Sequence, residues 1–587
     1  MATTLAKIKD WHKEATSKWS KWKVQSEEDF AFAQGEQWKV ETKAQVESEG
    51  RPAYTFNEIR GVIKLIVGYQ RQNRQDIKIV GVEGGDDLTA EIMTLLIKNI
   101  VSKQNAEYKF SDCFSDGVKC SRGFLEIEID YEEDILNGII TFHHRSPFEI
   151  KVDPYSVEYD LSDAEYVIRE ISNLTKDSLL SRFPDQEDKI NEATGKPDPD
   201  SDKNRWTLVE CWYKKYTKVK FLVDTQSGDI EELSGKESKA EIKQMLKITP
   251  NLKLHERRIP KIKIASVVNE VLLQDDDSPY YPHLKTFPFI PYIADWSPSA
   301  TKHEQRCQGV TTALKDPQKF INKQISMGLH IVNTSANAPW VGDEDALDED
   351  GEAHLKQFGS RPGVYIKKKH GTELRRETPV PGTLSTFILS DKGSDMIKRI
   401  SGANADLLGQ QDVKSMSGKA LSIRQQQGII TIQEIFDNLR FTRHIEARVL
   451  IGLILTSYSP EKVVRVCGED AFITEEEKQQ IAENPEAINV SDTALQRAGE
   501  ILKNIDMTRY DIAIDEISSS PTMRAATFLT MMEMKEKGFE TITEEDLIEA
   551  SDLPNKAKIL ARIKKQAEQP QQQLPIGQIT QKQPNRR

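Results

Sequence analysis

Three groupings have the residue types of metal ligands or acid–base catalysts: His143-His144, Asp275-Asp276-Asp277 and Glu475-Glu476-Glu477. Their settings argue against both roles. The histidines lie in an alternating run, where successive side chains point to opposite faces and cannot close on one ion. The acidic triplets are expected in a turn and at a helix start, as solvated charge. Gly418-Lys419 after Gly409 suggests a phosphate loop, but Walker A needs a differently placed glycine, and Ala420 stands where Ser or Thr is required. GxSxG, HExxH and GxGxxG are absent from the sequence. The five cysteines are scattered and form no CxxC pair, which predicts a reducing compartment and neither a structural disulfide nor a zinc site. No catalytic residue, cofactor or metal is therefore expected, and the chain does not read as an enzyme.

Cations are the remaining candidates. Lys367, Lys368, Lys369, Arg375 and Arg376 follow an acidic strip at 343–352. They read either as a solvated hairpin or as a contact to phosphate or an acidic partner. If copies formed a ring, the acidic patch of one could meet the basic patch of the next. Lys414 and Lys419 belong to the polar, glycine-flanked stretch 409–419, and Lys398 and Arg399 end a helical run before it.

The elements that must position these residues form a helix-rich, mixed α/β (α+β) pattern. Helical periodicity covers 1–25, 61–73, 88–104, 109–121, 301–335 and 384–400, then a proline-free run from 419 to 459 that Pro460 closes. In that last run Ile423, Ile430, Ile435, Leu439, Ile445, Val449 and Leu453 form an apolar stripe, with Arg440, Arg443, Glu446 and Arg448 assigned to the charged side. Period-two alternation predicts a hairpin from 124–130 and 138–144, strands at 76–80, 166–172, 206–213, 218–223, 261–268, 270–274 and 363–366, and a pair formed by 463–466 and 510–515. The stretch 43–50 is a polar segment, 184–204 reads as a surface loop, 235–246 as a helical insertion, and 522–537, 543–550 and 554–568 as a closing helical set. The Gln- and Pro-rich 569–587 reads as disordered.

A chain of 587 residues should hold two to four domains. Its net charge of −13 argues against broad adhesion to nucleic acid, which depends on Lys and Arg displacing counterions, but does not exclude a protein that lets DNA pass, since an acidic surface keeps the duplex from sticking. No apolar run approaches a membrane span, and the N-terminal residues lack a signal-peptide core, so a soluble protein is expected.

Taken in order, several blocks resemble the portal proteins of tailed bacteriophages, in the short-tailed branch. They are Phe30-x-Phe32-x-x-Gly35-Glu36-Gln37-Trp38; Gly50-Arg51-Pro52 through Asn57, with Ile59-Arg60 and Gly68 to Arg74; Asp112 to Gly123; Pro147-Phe148 with Val152-Asp153-Pro154; Gly309 through Asp316-Pro317-Gln318, Asn322 and Ser326; and Ser401-Gly402, Leu408-Gly409, Ser417 to Ala420 and Gln425 to Gly428. The resemblance runs to about residue 565. It implies a dodecameric ring at one capsid vertex, assembled in the host cytoplasm and carried in the virion. Double-stranded DNA would pass through its channel, with a terminase large subunit, the major capsid protein and scaffold, and a tail adaptor or head-completion protein as partners, and no membrane.

Region by region, the resemblance implies a wing at 1–300, stem helices at 301–335 and 383–408, a clip at 336–382, a tunnel loop at 409–418, a long wing helix with paired strands at 419–515, a crown at 516–568 and a tail at 569–587. Some relatives carry a long C-terminal helical barrel, where a short crown is expected here. Lys398, Arg399, Lys414 and Lys419 become channel candidates, and Lys367, Lys368, Lys369, Arg375 and Arg376 clip contacts. Another structural virion component, such as a head-completion or scaffold protein, is the alternative reading, and a DNA-processing enzyme a weaker one.

Overall fold

The computed structural model describes residues 2–74, 76–81, 87–198, 202, 204–225, 230–233, 245–246, 249, 251–280, 282–336, 339–359, 361, 364–377, 383–402, 432–474, 477, 480–481, 489–504, 510–515, 521–537, 543, 547–548, 551 and 559. The expected tunnel loop, the first part of the long helix, most of the insertion at 235–246 and the tail lie outside them. Two compact units result: one is 1–69 with 77–515, the other 70–76 with 516–587.

The large unit opens with α1 (Ala2–Lys18) and α2 (Ser20–Gln34), which ends where Gly35 turns left-handed and its N–H bonds back to Ala31. Next come α3 (Val40–Ser48) and α4 (Glu58–Gln72). The polar stretch 43–50 is thus mostly helix; α3 buries no side chain, so no apolar stripe announces it. Strand β1 (Asp76–Gly81), α5 (Asp87–Lys103) and α6 (Ala106–Cys120) lead into the expected hairpin of β2 (Arg122–Asp130) and β3 (Ile139–Arg145), in register from Phe124 opposite Arg145 to Asp130 opposite Ile139.

Beyond β4 (Ile150–Val152) and β5 (Tyr166–Leu174), the predicted loop at 184–204 contains a helix. After α7 (Lys176–Arg182) comes α8 (Glu187–Thr194), which buries Ile190 and Ala193. The long strands β6 (Trp206–Asp224) and β8 (Leu252–Val268) pair from Leu208–Val268 to Asp224–Leu252, with β7 (Ile230–Glu232) added to β6. Sequence alternation splits β6 and marks only the last part of β8, because the middle of the ribbon carries charge on both faces.

Asn269 and Glu270, both at positive φ, form the two-residue turn into β9 (Val271–Asp277). Asp275 is therefore a strand residue. It accepts the Tyr213 hydroxyl at 2.7 Å and pairs with Lys263 at 3.2 Å, instead of standing solvated in a turn.

Strand β10 (Phe289–Ile293), wholly buried, completes a three-stranded sheet in the order β10-β2-β3, beside the larger sheet β4-β5-β6-β8-β9. The two sheets are linked through charge. Glu126 of β2, 2% exposed, meets Arg145 at 2.6 Å and Arg169 of β5 at 2.8 Å.

Helix α9 (Val310–Ala336) keeps Pro317 in its interior. A small lobe follows: β11 (Trp340–Gly342), α10 (Glu349–Phe358) and β12 (Leu374–Arg376), with β11 antiparallel to β12. Residues 364–369, expected to include a strand, have no strand partner. Helix α11 (Thr383–Ser401) returns from the lobe.

The expected long helix is present as α12 (Gln433–Ser457), burying Leu439, Ile445, Val449 and Leu453, with Ile435 partly buried. Arg443 and Glu446, assigned to its charged side, are instead 1% and 0% exposed. A second correction follows at α13 (Pro460–Cys467), read from its valines as a strand. Ser459 caps it and Pro460 occupies its first turn, and these start signals outweigh β-branched propensity.

Helix α14 (Val490–Asn504) precedes β13 (Tyr510–Asp515), which pairs with β1 rather than with 463–466. Glu477, expected as solvated charge, forms a two-pronged bond to Arg497 at 2.7 and 2.8 Å, which holds its carboxyl down at about 2. The described part of the small unit is mainly α15 (Pro521–Glu536).

The two histidines do diverge: His143 meets Glu128 at 2.8 Å, and His144 meets Asp116 of α6 at 2.8 Å. The Asp116 bond raises the His144 pKa above its ordinary 6.5. A raised histidine pKa adds stability that is complete below the unfolded value and fades as pH rises through the folded one. The stability lost in Asp116→Asn should accordingly be larger at pH 6 than at pH 8.5, read as the difference in thermal midpoint from the parent.

Candidate functional site

Helix α9 is amphipathic, yet three polar residues, Gln318, Asn322 and Ser326, recur at i, i+4 and i+8 on one face and are 0%, 1% and 5% exposed. They face the stretch after Pro52, which enters as extended chain. Two extended residues advance about 6.6 Å, and an i to i+4 helical step about 6 Å, so the two periods match. The outcome is a ladder: Tyr54 N–H donates to Ser326 Oγ at 3.2 Å, Phe56 N–H to Asn322 Oδ1 at 2.9 Å and Glu58 N–H to Gln318 Oε1 at 3.0 Å. Gln318 Nε2 returns a bond to Phe56 O at 2.6 Å. Helix side chains thus stand in for a neighbouring strand and satisfy backbone groups that burial would leave bare.

The network continues into α2 and α4. Asn322 Nδ2 donates to Gln37 Oε1 at 2.6 Å, and Gln37 Nε2 to Phe32 O at 3.0 Å. Asn57 donates to Ala33 O while its own Oδ1 accepts the Arg60 N–H. One turn earlier on α9, Lys315 pairs with Asp29 at 2.7 Å and Glu28 at 2.9 Å, and Thr312 donates to Asp29 at 2.6 Å. The 30–38, 50–60 and 309–326 blocks, far apart in sequence, therefore meet in one buried clamp.

Above the clamp, α9 and α11 run antiparallel, with Phe320 and Ile321 beside Gly393 and Thr386 and Phe387 beside Gly328. A Cβ at Gly393 would lie 2.6 Å from Ile321 Cγ1, and one at Gly328 2.8 Å from Thr386 Oγ1. Only glycine admits this approach. Gly393→Val should lower the thermal midpoint by several degrees, since overpacking a fitted contact costs about 1–3 kcal/mol; an unchanged midpoint would mean the helices part freely.

The lobe between the helices carries the clip candidates. Asp348 caps α10, accepting the Gly351 N–H at 2.9 Å, so the acidic strip sits at a helix N-terminus, where the dipole favours it. Lys367, Lys368 and Lys369 are exposed in irregular chain before the turn at His370-Gly371, and Arg375 and Arg376 lie on β12. The three lysines meet no carboxylate among the described residues; Lys368 Nζ donates to Thr372 O. Arg376 lies over Trp340, and Arg375 approaches Glu377 at 3.9 Å.

Lys398 and Arg399 are exposed in the last turn of α11, whereas Lys414 and Lys419 fall outside the described residues. The structure therefore brings the lysine and β12 groups into one lobe, and of the four channel candidates only Lys398 and Arg399 fall among the described residues. Sequence reasoning missed the functional weight of Gln37, Lys315 and the polar i, i+4, i+8 face of α9, although that spacing was visible.

A scan against protein-family models matches the phage P22-like portal protein family over residues 9–587. The chain belongs to this portal family. Portal proteins are structural components of the phage capsid and assemble as homo-oligomeric rings. Among curated proteins, none matches the sequence. For this portal chain the match bears out the short-tailed-phage resemblance and gives the clamp its context: three of the blocks that carried the resemblance, 30–38, 50–60 and 309–326, build it. No helix among the described residues is long and apolar enough to cross a membrane.

Proposed function

We propose that twelve copies form a ring at one capsid vertex, through which double-stranded DNA is packaged and later ejected. The observation that carries this reading is a helical hairpin, α9 with α11, held by a buried polar clamp at one end and joined at the other to a lobe whose lysines are unneutralised. In this reading 301–335 and 383–408 are the stem and 336–382 the clip, whose Lys367, Lys368, Lys369, Arg375 and Arg376 engage an acidic surface, either that of the next copy or that of the docked terminase large subunit or tail adaptor. Residues 1–300 with 419–515 form the wing, meeting major capsid protein and scaffold, and 516–568 the crown.

Lys398, Arg399, Lys414 and Lys419 line the channel or its rim. Twelve chains at −13 carry about −156, so the bore surface is largely non-adhesive and these cations are isolated contacts.

Native mass spectrometry of the assembled protein, with ring-averaged electron microscopy, tests the proposal. Twelve chains of 66.7 kDa give about 800 kDa, with an axial hole lined by the four cations. A monomer, an open oligomer, or a ring bearing all four on its outer surface would overturn the corresponding part.

A further inference from the structure

A recess of about 370 Å³ lies between the C-terminal end of α5, the start of β3 and α13. Three cations line it: Lys103, Lys462 and Arg465. Lys462 is 8% exposed, its Nζ donating to Gly138 O at 2.5 Å and pairing with Asp134 at 3.4 Å over the Tyr458 ring. Burial pulls its pKa down; Asp134 opposes this, and the charges of Arg465 and Lys103 add to the depression, which puts all three cations within one field.

Lys103 and Arg465 pair with no carboxylate among the described residues. The only acid in the lining, Asp134, is already used, accepting the Leu136 and Asn137 N–H groups as well as Lys462. The half-buried amides of Asn99 and Gln104 also face the recess with no side-chain hydrogen bond among the described residues. The apolar part of the lining includes Ile139, Ile140 and Val466.

Three positive charges and one negative leave +2 in a hollow of the size that holds small organic molecules, on a chain whose net charge is −13. We propose that this recess binds a phosphomonoester, its dianionic head among Lys103, Lys462 and Arg465 and its apolar body against Ile139, Ile140 and Val466. Charge count selects a dianion over a carboxylate, and the aliphatic wall selects an ester over free phosphate. The reading is independent of ring formation.

Calorimetric titration of the full-length chain with phenyl phosphate at low ionic strength tests it, with inorganic phosphate and benzoate as separate arms. Phenyl phosphate should bind once per chain and at least tenfold more tightly than either. Lys103→Gln and Arg465→Gln, both exposed positions whose loss should leave the thermal midpoint unchanged, should each weaken it at least fivefold, whereas Lys98→Gln on the same helix but outside the lining should not. Equal affinity for benzoate would overturn the match to a dianion, and equal affinity for inorganic phosphate the role of the apolar wall. Absent binding, or binding indifferent to Lys103 and Arg465, would overturn the site itself.

Discussion

Gln318→Leu should destabilise the large unit by about 3–5 kcal/mol, one of the two largest effects expected of any single substitution here. Leucine fills the volume, so no cavity is at issue. What is lost is the acceptor of the Glu58 N–H and of the buried Ile59 N–H, and the donor to Phe56 O and to the buried Asn322 Oδ1, and each buried polar group left unsatisfied costs about 1–3 kcal/mol. The shift in urea midpoint of the first unfolding transition measures it.

Two companions separate this cause from general disturbance. Ser326→Ala should cost only about 1 kcal/mol, because Tyr54 is 54% exposed and water can reach the freed N–H. Gln318→Glu should be severe at neutral pH, where a buried carboxylate can no longer donate to Phe56 O, and should recover as pH falls. The buried carboxyl, raised by desolvation, then protonates and regains a donor. A Gln318→Glu variant with no acid recovery, or a Gln318→Leu variant no worse than Ser326→Ala, would show that the ladder is incidental to the fold.

The same ladder shows what a sequence can and cannot disclose. Strand β3 was legible because buried and part-exposed positions alternate along it, and β2 because Glu126 and Glu128 alternate with apolar residues even though Glu126 is itself buried, so period two is written into residue type. Helix α9 was legible as a helix, but the partner of Gln318, Asn322 and Ser326 lies some 260–270 residues away, and no local pattern points there.

Helix α13 failed for a different reason: Val463, Val464 and Val466 favour strand locally, and only tertiary burial, with Val463 at 0% exposure, and the Ser459-Pro460 start decide for helix. Helix α3 failed because nothing buries it. Of the candidate site, the lysines and arginines of the lobe were evident from charge alone, whereas it took coordinates to show that Lys367, Lys368 and Lys369 meet no carboxylate among the described residues.

Arg443 and Glu446 were the most misleading pair in the chain, since Arg and Glu three residues apart on a helix ordinarily mark a solvated face. Here Arg443 is sealed in, its guanidinium 3.5 Å from the Phe110 ring centroid, 2.9 Å from Glu446 and 2.7 Å from Glu107, joining α12 to α6. Burial pushes the Glu446 carboxyl above its ordinary range even with Arg443 beside it.

Arg443→Met should therefore cost about 3–5 kcal/mol, because it leaves Glu446 buried without a counter-charge. Methionine keeps the contact with the phenyl ring, so lost packing explains little of that. Removing Glu446 as well should restore much of the loss: Arg443→Met with Glu446→Leu is expected to be more stable than Arg443→Met alone, as apolar replacement of a whole buried ion pair is often neutral. Glu107, whose side chain is 18% exposed, can turn to water in that variant. An additive packing account predicts the reverse order, with the double variant the weaker. A cycle of urea midpoints over the two singles, the double and the parent decides between them; a double variant less stable than Arg443→Met would mean that this contact between α6 and α12 is held by shape and not by charge.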